Sequence, residues 1–276
     1  MMQSKHDLAI VCPSCHNSIG RLSDVAASCA SCGFDVANIA GVPLLWAEDR
    51  EAPFDARDEA STLPVMNAAH LPIPFIQEAL ASGGLVLELG AGVDVCEAPN
   101  LVKTDAFVYS ADLDLIADAH RLPFEDDTFD YVYSLAVFEH LHSPWIAAEE
   151  IRRVLKPGGQ VYTLCAFMQH VHGYPFHYFN MTAMGLERVF EGFSHVETRP
   201  SPFCPFDQIS VILLDLKAML EEAPQRSLSR QTAELASLID RFTHLVPEVT
   251  PSLMADTRAQ PAWSRIAPGF DCFATK

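Results

Sequence analysis

The stretch that most constrains this chain is LVLELGAG at residues 85–92. A run of Leu and Val that stops at Gly-Ala-Gly has the pattern of a buried parallel strand that turns sharply, with room for a ligand against its carboxyl end. Gly90, Ala91 and Gly92 supply that turn. Glu88 narrows the ligand class. A carboxylate at the strand tip repels phosphate and attracts an ammonium group, so a pyrophosphate-led dinucleotide site is disfavoured.

A chain of 276 residues, 49% of them hydrophobic, can fill one large core and still carry a small appendage. Lys+Arg 18 against Asp+Glu 36 gives a net charge of -18, and no Lys/Arg cluster interrupts it, so nucleic acid is an unfavoured partner. The longest apolar run, SVILLDLKAML, is broken by Asp215 and Lys217 and falls short of the ~18 residues of a membrane span. No signal-like apolar core precedes Cys12, so a cytoplasmic location is expected.

The appendage is written in the cysteines. Cys12-Pro-Ser-Cys15 and Cys29-Ala-Ser-Cys32 are two C-x2-C knuckles, and Gly33 permits a tight turn after the second. Two such pairs bring four thiolates to one tetrahedral ion, for which zinc is the expected metal. Four sulfurs close the site to water, so the zinc is structural. Cys96, Cys165, Cys204 and Cys272 are scattered and read as buried thiols. A ribbon over residues 1–46 is thus followed by an acid-, alanine- and proline-containing linker, 47–74, and a main domain from residue 75, opened by a short helix at 75–80.

After Gly92 the sequence VDVCEAP has Pro99 and no helical stripe, which predicts a loop where a βαβ unit places a helix. The second strand should end in an acid able to accept hydrogen bonds from two ribose hydroxyls. Asp105 and Asp112 compete. Asp105 is preferred, because Asp112 leaves too few residues for a crossover to the third strand at 113–117. Even so the 106–112 connection is short, so this sheet edge should be trimmed. The strand at 129–136 is central, ending at Leu135 and leading to Phe138-Glu139-His140-Leu141. Ser143 and Pro144 then start a helix with Ala147, Ile151, Val154 and Leu155 on one face, and Pro157-Gly158-Gly159 feeds a strand at 160–166. Glu139 reads as shaping the start of that helix.

These segments resemble the class I S-adenosylmethionine-dependent methyltransferases over roughly residues 76–190. The resemblance rests on LVLELGAG, on Asp118-Ala119-His120 with Leu122-Pro123-Phe124 behind it, and on the LKPGG turn. It implies a Rossmann-like α/β fold, a mostly parallel seven-stranded sheet with an antiparallel last strand. It implies that Glu88, Gly90, Ala91 and Gly92 line the methionine end of the cofactor and that Asp105 takes the ribose. Asp118 would meet the adenine amine, the backbone of Ala119 the ring, and Leu135 the methionine portion. The third glycine of the usual fingerprint is absent, with Asp94 near its place. The ribbon with NIAGVPLLW at 38–46 resembles small zinc-ribbon activators of tRNA and release-factor methyltransferases, here fused in cis. A similar ribbon also precedes certain ribosomal RNA guanine methyltransferases.

Chemistry is expected in residues 167–180, FMQHVHGYPFHYFN, beyond the fifth strand. His172, His177 and His140 are the catalytic candidates, because neutral imidazole has the right proton affinity near pH 7. His170, Tyr174 and Tyr178 are candidates for substrate contact. Similar HGYP-x-HYF segments occur in a subgroup of the resembled family associated with glycans and natural products. A helix capped by Thr182, a strand at 195–199, helices at 206–220 and 229–245, and a last strand at 270–275 complete the chain. The helical insertion, about 206–262, would cover substrate or support a homodimer, and Leu235, Leu238, Phe242 and Leu245 form its apolar stripe. The expected activity is methyl transfer from S-adenosylmethionine to a small-molecule or glycan hydroxyl. An RNA base methyltransferase and a non-catalytic scaffold are the alternatives.

Overall fold

The computed structural model describes residues 4–46, 66–109, 112–172, 176–203, 205–222, 230–257 and 267–276. A small three-stranded antiparallel sheet is formed by β1 (Ala9–Val11), β2 (Ser18–Arg21) and β3 (Asp24–Val25). The large sheet takes β4 (Ala37–Ile39), β5 (Val42–Leu45), β6 (Val86–Leu89), β7 (Leu101–Asp105), β8 (Leu115–Ala117), β9 (Phe129–Leu135), β10 (Leu155–Ala166), β11 (His195–Pro200) and β12 (Gly269–Thr275). Its order is β11-β12-β10-β9-β6-β7-β8-β5-β4. Strands β10, β9, β6, β7, β8 and β5 run parallel to their neighbours in that order, and β12 is antiparallel to both β10 and β11.

The seven expected strands are β6 to β12, and two more come from the amino-terminal region. Among the described residues between β7 and β8, 106–109 and 112–114, there is no helix, and an uncovered edge at β8 would leave backbone groups unpaired. Strand β5 fills that edge, with Leu44 opposite Ile116 and Leu45 opposite Ala117. The segment read as completing the ribbon therefore also extends the main sheet.

Burial on both faces explains the near-continuous apolar strands. On one face α1 (Pro74–Ser82) sets Ile76 and Ala79 against Val86, Leu101, Tyr133 and Tyr162. On the other, α2 (Pro144–Val154) buries Ala147, Ala148, Ile151 and Val154. Pro144 occupies the first turn as expected, but the Ser143 hydroxyl makes no capping bond and pairs with His142 Nδ1 at 2.8 Å. α3 (Ala183–Val189) is capped as expected, Thr182 accepting from the Gly185 N–H. The LKPGG turn forms a register shift within β10 between Leu155 and Gln160.

No helix follows Gly92, in keeping with Pro99. Asp94 organises the loop instead: its Oδ1 accepts from the N–H groups of Ala68 and Cys96, at 3.0 and 2.9 Å. The insertion forms α4 (Pro205–Glu222) and α5 (Arg230–Thr257), joined by a Lys217–Asp240 ion pair of 2.6 Å. The predicted stripe on α5 is turned outward, with Leu238 at 52% and Leu245 at 54% exposure, while Ile239 and Val246 are buried. Helical periodicity located the helix but not the side that packs. Among the described residues no helix is long and apolar enough to cross a membrane.

Candidate cofactor and acceptor site

The amino-terminal knuckles meet as their spacing requires. Cys12 Sγ lies 3.6 Å from Cys32 Sγ, and Cys15 Sγ 3.6 Å from Cys29 Sγ. Zinc–sulfur bonds of ~2.3 Å set tetrahedral sulfurs ~3.8 Å apart, so the cluster has the right size for such an ion. The two knuckles are built alike: His16 and Gly33, each following a second cysteine, have φ 59 and φ 77. Their N–H groups return to the carbonyls of Cys12 and Cys29 at 2.9 and 2.8 Å. The left-handed turn is costless for Gly33 and less so for His16. Hydrogen bonds from the backbone and side chain of Asn17 lower the Cys15 thiol, while crowding by the neighbouring thiols pushes Cys32 up and burial pushes Cys12 up.

This ribbon docks on the segment that the resemblance assigns to adenine. Ile10 bridges Phe124, the Val11 N–H donates to Pro123 O at 3.0 Å, and Arg121 Nη2 donates to Ser14 O at 2.8 Å. Just before it, Asp118 is buried and its Oδ1 accepts from the His120 N–H at 2.9 Å, with His120 Nδ1 at 2.6 Å. Ala119 is buried between them. The His120 ring stacks on His142 at 4.2 Å, joining this loop to the one after β9.

At the tip of β6, Gly90 takes φ 75, and a Cβ there would lie 2.3 Å from Val137 Cγ2. Only glycine allows the β6 turn to approach the chain leaving β9 so closely. Gly92, at φ 53, has nothing within 4 Å of where its Cβ would be. That open, side-chain-free turn fits close approach by a cofactor. Ala91 is buried, and its N–H donates to Thr104 O at 3.0 Å. Asp105, at the end of β7, accepts from the Gly92 N–H at 2.8 Å and the Phe107 N–H at 3.0 Å. Each oxygen keeps acceptor capacity for a hydroxyl. Burial raises this carboxyl to about 6. The rival Asp112 lies exposed in the turn before β8.

Glu88 departs from its expected electrostatics. It is 2% exposed and pairs across the sheet with Lys103 and Tyr133. Burial first, then neighbouring Asp94, push its carboxyl well above the usual carboxylate range. A carboxyl pushed up in this way holds its proton more readily than an exposed one, and Glu88 lies buried at the end of β6 just before the glycine turn.

The acceptor side is assembled where β9 and β10 end. Ala136, φ 56, bends the chain sharply after Leu135, and a short 3-10 turn over Phe138–His140 follows. The N–H groups of Tyr178 and Phe179 donate to Glu139 O at 2.8 and 3.2 Å, tying the aromatic loop to this turn. Phe107 stacks on Phe176 at 5.9 Å, so the same loop also reaches the end of β7. Three predicted histidines converge. His172 lies 4.4 Å from His177 and 5.0 Å from His140 between ring centroids, and His140 lies 5.5 Å from His177. His170 stands beside them, 5.9 Å from His172. Tyr178 is 48% exposed and its ring meets His142, so it stands apart from the cluster. Tyr174 and Cys204 lie outside the described residues.

The partners settle the imidazole tautomers. His140 Nδ1 faces Phe176 O at 3.1 Å and His172 Nδ1 faces His170 O at 3.0 Å; a carbonyl only accepts, so both Nδ1 atoms carry protons. Their Nε2 atoms therefore hold lone pairs. His177 differs: Nε2 donates to Asn180 Oδ1 at 2.8 Å, and Nδ1 faces both the His172 N–H at 3.1 Å and the His172 carbonyl at 3.2 Å. Asn180 is oriented by its own bond to Gln169 O at 2.9 Å. Burial lowers the pKa of both His140 and His172, favouring the neutral rings.

The residue that sequence reasoning missed is Glu139. Its side chain is 0% exposed, its carboxylate meets the Cys165 thiol and no nitrogen or hydroxyl donor, and His172 Nε2 is 3.9 Å away. Burial raises its carboxyl to about 7. The expected task is shaping the helix start; the Glu139 carbonyl instead holds the aromatic loop through the Tyr178 and Phe179 N–H groups. An acid next to histidine just past a central strand was the available signal.

Residues 87–163 match the family described as "Methyltransferase domain". The demethylmenaquinone methyltransferase of Streptomyces griseus subsp. griseus is 33% identical over 100 residues, 30% of this chain and 43% of that protein. The 27-O-demethylrifamycin SV methyltransferase of Amycolatopsis mediterranei is 31% identical over 93 residues, 32% of each chain. The chain thus spans less than half the length of these relatives. Among solved structures, a Haemonchus contortus phosphoethanolamine N-methyltransferase 2 complex aligns at TM-score 0.38 and 18% identity, covering 69% of this chain and 48% of that one. A Haloferax volcanii complex of the Trm112 methyltransferase activator with a methyltransferase aligns at TM-score 0.41 and 19% identity, covering 72% and 87%.

Proposed function

We propose, from the class I S-adenosylmethionine-dependent methyltransferase domain that this chain carries, that it methylates a hydroxyl of a small molecule or glycan. The observation that carries the acceptor class is the convergence of neutral His140 and His172 with Glu139 beyond the ends of β9 and β10. Gly90, Ala91 and Gly92 would admit the methionine end, with Leu135 beside it. Asp105 would accept from the ribose, and Asp118 with Ala119 would frame the adenine.

The bound cofactor supplies an electrophilic methyl group, so the protein's main task is to hold the acceptor oxygen in line with it. Carbon–oxygen bond formation breaks the carbon–sulfur bond, and the electron pair stays on sulfur. A hydroxyl acceptor must also lose its proton. His172 Nε2 or His140 Nε2, each with a lone pair, would take it, while His177 holds the His172 backbone in place. The four-thiol ribbon would carry a structural zinc and brace the adenine side. The exposed apolar residues of α4 and α5 would cover substrate or meet a second copy. We place the domain limits at 1–46 for the ribbon, 47–74 for the linker and 75–276 for the catalytic unit, in a cytoplasmic protein.

Incubation with methyl-labelled cofactor and a panel of hydroxylated metabolites and glycans tests this reading. Base-stable label in the small-molecule fraction, lost on demethylation of an ether, is expected. Label confined to RNA, with tight salt-sensitive RNA binding on filters, would transfer the assignment to a base methyltransferase.

A further inference from the structure

The histidine cluster has an architecture that proton transfer alone does not require. Glu139 is a fully buried acid whose carboxylate meets the Cys165 thiol, a weak donor, and no nitrogen or hydroxyl at hydrogen-bond distance, a costly arrangement unless something positive meets it. His172 Nε2 stands 3.9 Å from it, and the His140 ring lies 5.0 Å from that of His172. One donor atom from each of Glu139, His140 and His172 lies within 4.8 Å of the others. We propose that these three residues bind a divalent metal ion at the acceptor site, a second metal centre distinct from the ribbon.

The donor set defines the ion. Two imidazole nitrogens and one carboxylate suit a borderline cation such as zinc, iron(II), nickel(II) or manganese(II) better than calcium. Both rings are already in the tautomer that ligation needs, fixed by backbone carbonyls on the far nitrogen. A tetrahedral ion with bonds of ~2.1 Å places its donors ~3.4 Å apart, so the widest pair need close by only ~1.4 Å through side-chain rotation. His177 is not a ligand, since Asn180 and the His172 backbone use its two nitrogens; it positions His172. Three protein ligands leave a coordination position open, unlike the four sulfurs of the ribbon. An oxygen-bearing acceptor fits that position.

This inference rests on the methyltransferase reading for its acceptor, and it changes the task of the two rings from bases to ligands. A hydroxyl on the ion would be acidified by it and lose its proton to water.

Cobalt(II) titration of the full chain, its ribbon already filled with zinc, tests the site. The unaltered protein should take up one further cobalt per chain, showing ligand-field bands without thiolate charge transfer. Glu139→Gln and His172→Ala should each weaken that uptake at least tenfold. Calorimetry with S-adenosylhomocysteine runs alongside and should give similar affinity in all three proteins, which also reports folding. A protein that binds S-adenosylhomocysteine but takes up no cobalt beyond the ribbon overturns the metal site and leaves the methyltransferase reading intact. Undiminished uptake in both variants overturns the ligand assignment. Cobalt uptake without S-adenosylhomocysteine binding defeats the methyltransferase reading instead.

Discussion

The two ligand clusters of this molecule are built in opposite ways. The ribbon collects Cys12, Cys15, Cys29 and Cys32 from two short loops, each closed by a left-handed residue and by local hydrogen bonds. The acceptor cluster collects Glu139 and His140 from one strand end and His172 from another, and holds them through β9–β10 pairing and carbonyls such as Phe176 O. The first offers four sulfur donors, the second three nitrogen and oxygen donors. Local spacing specifies a structural centre, whereas reactive groups must be brought together by the whole sheet.

The largest expected effect comes from breaking the sulfur cluster. Structural zinc in small domains contributes on the order of 10 kcal/mol, so Cys29→Ser should unfold the ribbon. Because Ile10 and Val11 pack on Pro123 and Phe124, the loss should spread to the adenine side. Thermal melting of the variant should fall sharply, with weaker S-adenosylhomocysteine binding. An unchanged melt would show that the ribbon is not a structural centre.

At the acceptor cluster, His172→Ala should lower turnover by roughly 10²–10⁴, the range of a lost acid–base or ligand group, with cofactor affinity kept. His177→Ala removes the side chain that ties the His172 backbone to Asn180 and should cost roughly 10–100-fold. Steady-state rates that fall equally for both would erase the distinction between contact and positioning residue.

Between the clusters, Asp105→Ala should weaken S-adenosylhomocysteine binding by roughly tenfold, the scale of one or two hydrogen bonds to a charged group. The pH dependence has a definite sign. Burial raises this carboxyl to about 6, so protonation replaces an acceptor by a donor as pH falls. Affinity should be full above that value and decline below it in the parent, and stay flat in Asp105→Ala. Calorimetry across that window checks it, and parallel profiles would mean that another group titrates. The smallest effect is expected for Leu238→Gln on α5: at 52% exposure it should move stability by less than ~0.5 kcal/mol, read by denaturant melts.

What was legible in the sequence follows the same division. Apolar runs located β6, β9 and β10, and Pro144 with Pro157-Gly158-Gly159 bounded α2, because burial and backbone restriction act over a few residues. Asp105 could be chosen over Asp112 by chain length alone. Long-range facts stayed hidden. Nothing local in NIAGVPLLW announces that β5 will cap the edge at β8, and nothing in the Leu235 spacing says which face of α5 meets the protein. Glu88 reads as a ligand-facing charge, whereas burial first, and then Asp94 delivered by an irregular loop, push its carboxyl up. Glu139 was passed over because its significance lies in its burial against His172.

The central claim is that the turn after β6, without its usual helix, still belongs to a working cofactor site. Calorimetry of the zinc-loaded chain with S-adenosylhomocysteine tests it most directly. One equivalent bound per chain, weakened by Asp105→Ala, is the predicted result. No measurable binding by correctly folded protein would contradict the account and leave a non-catalytic scaffold.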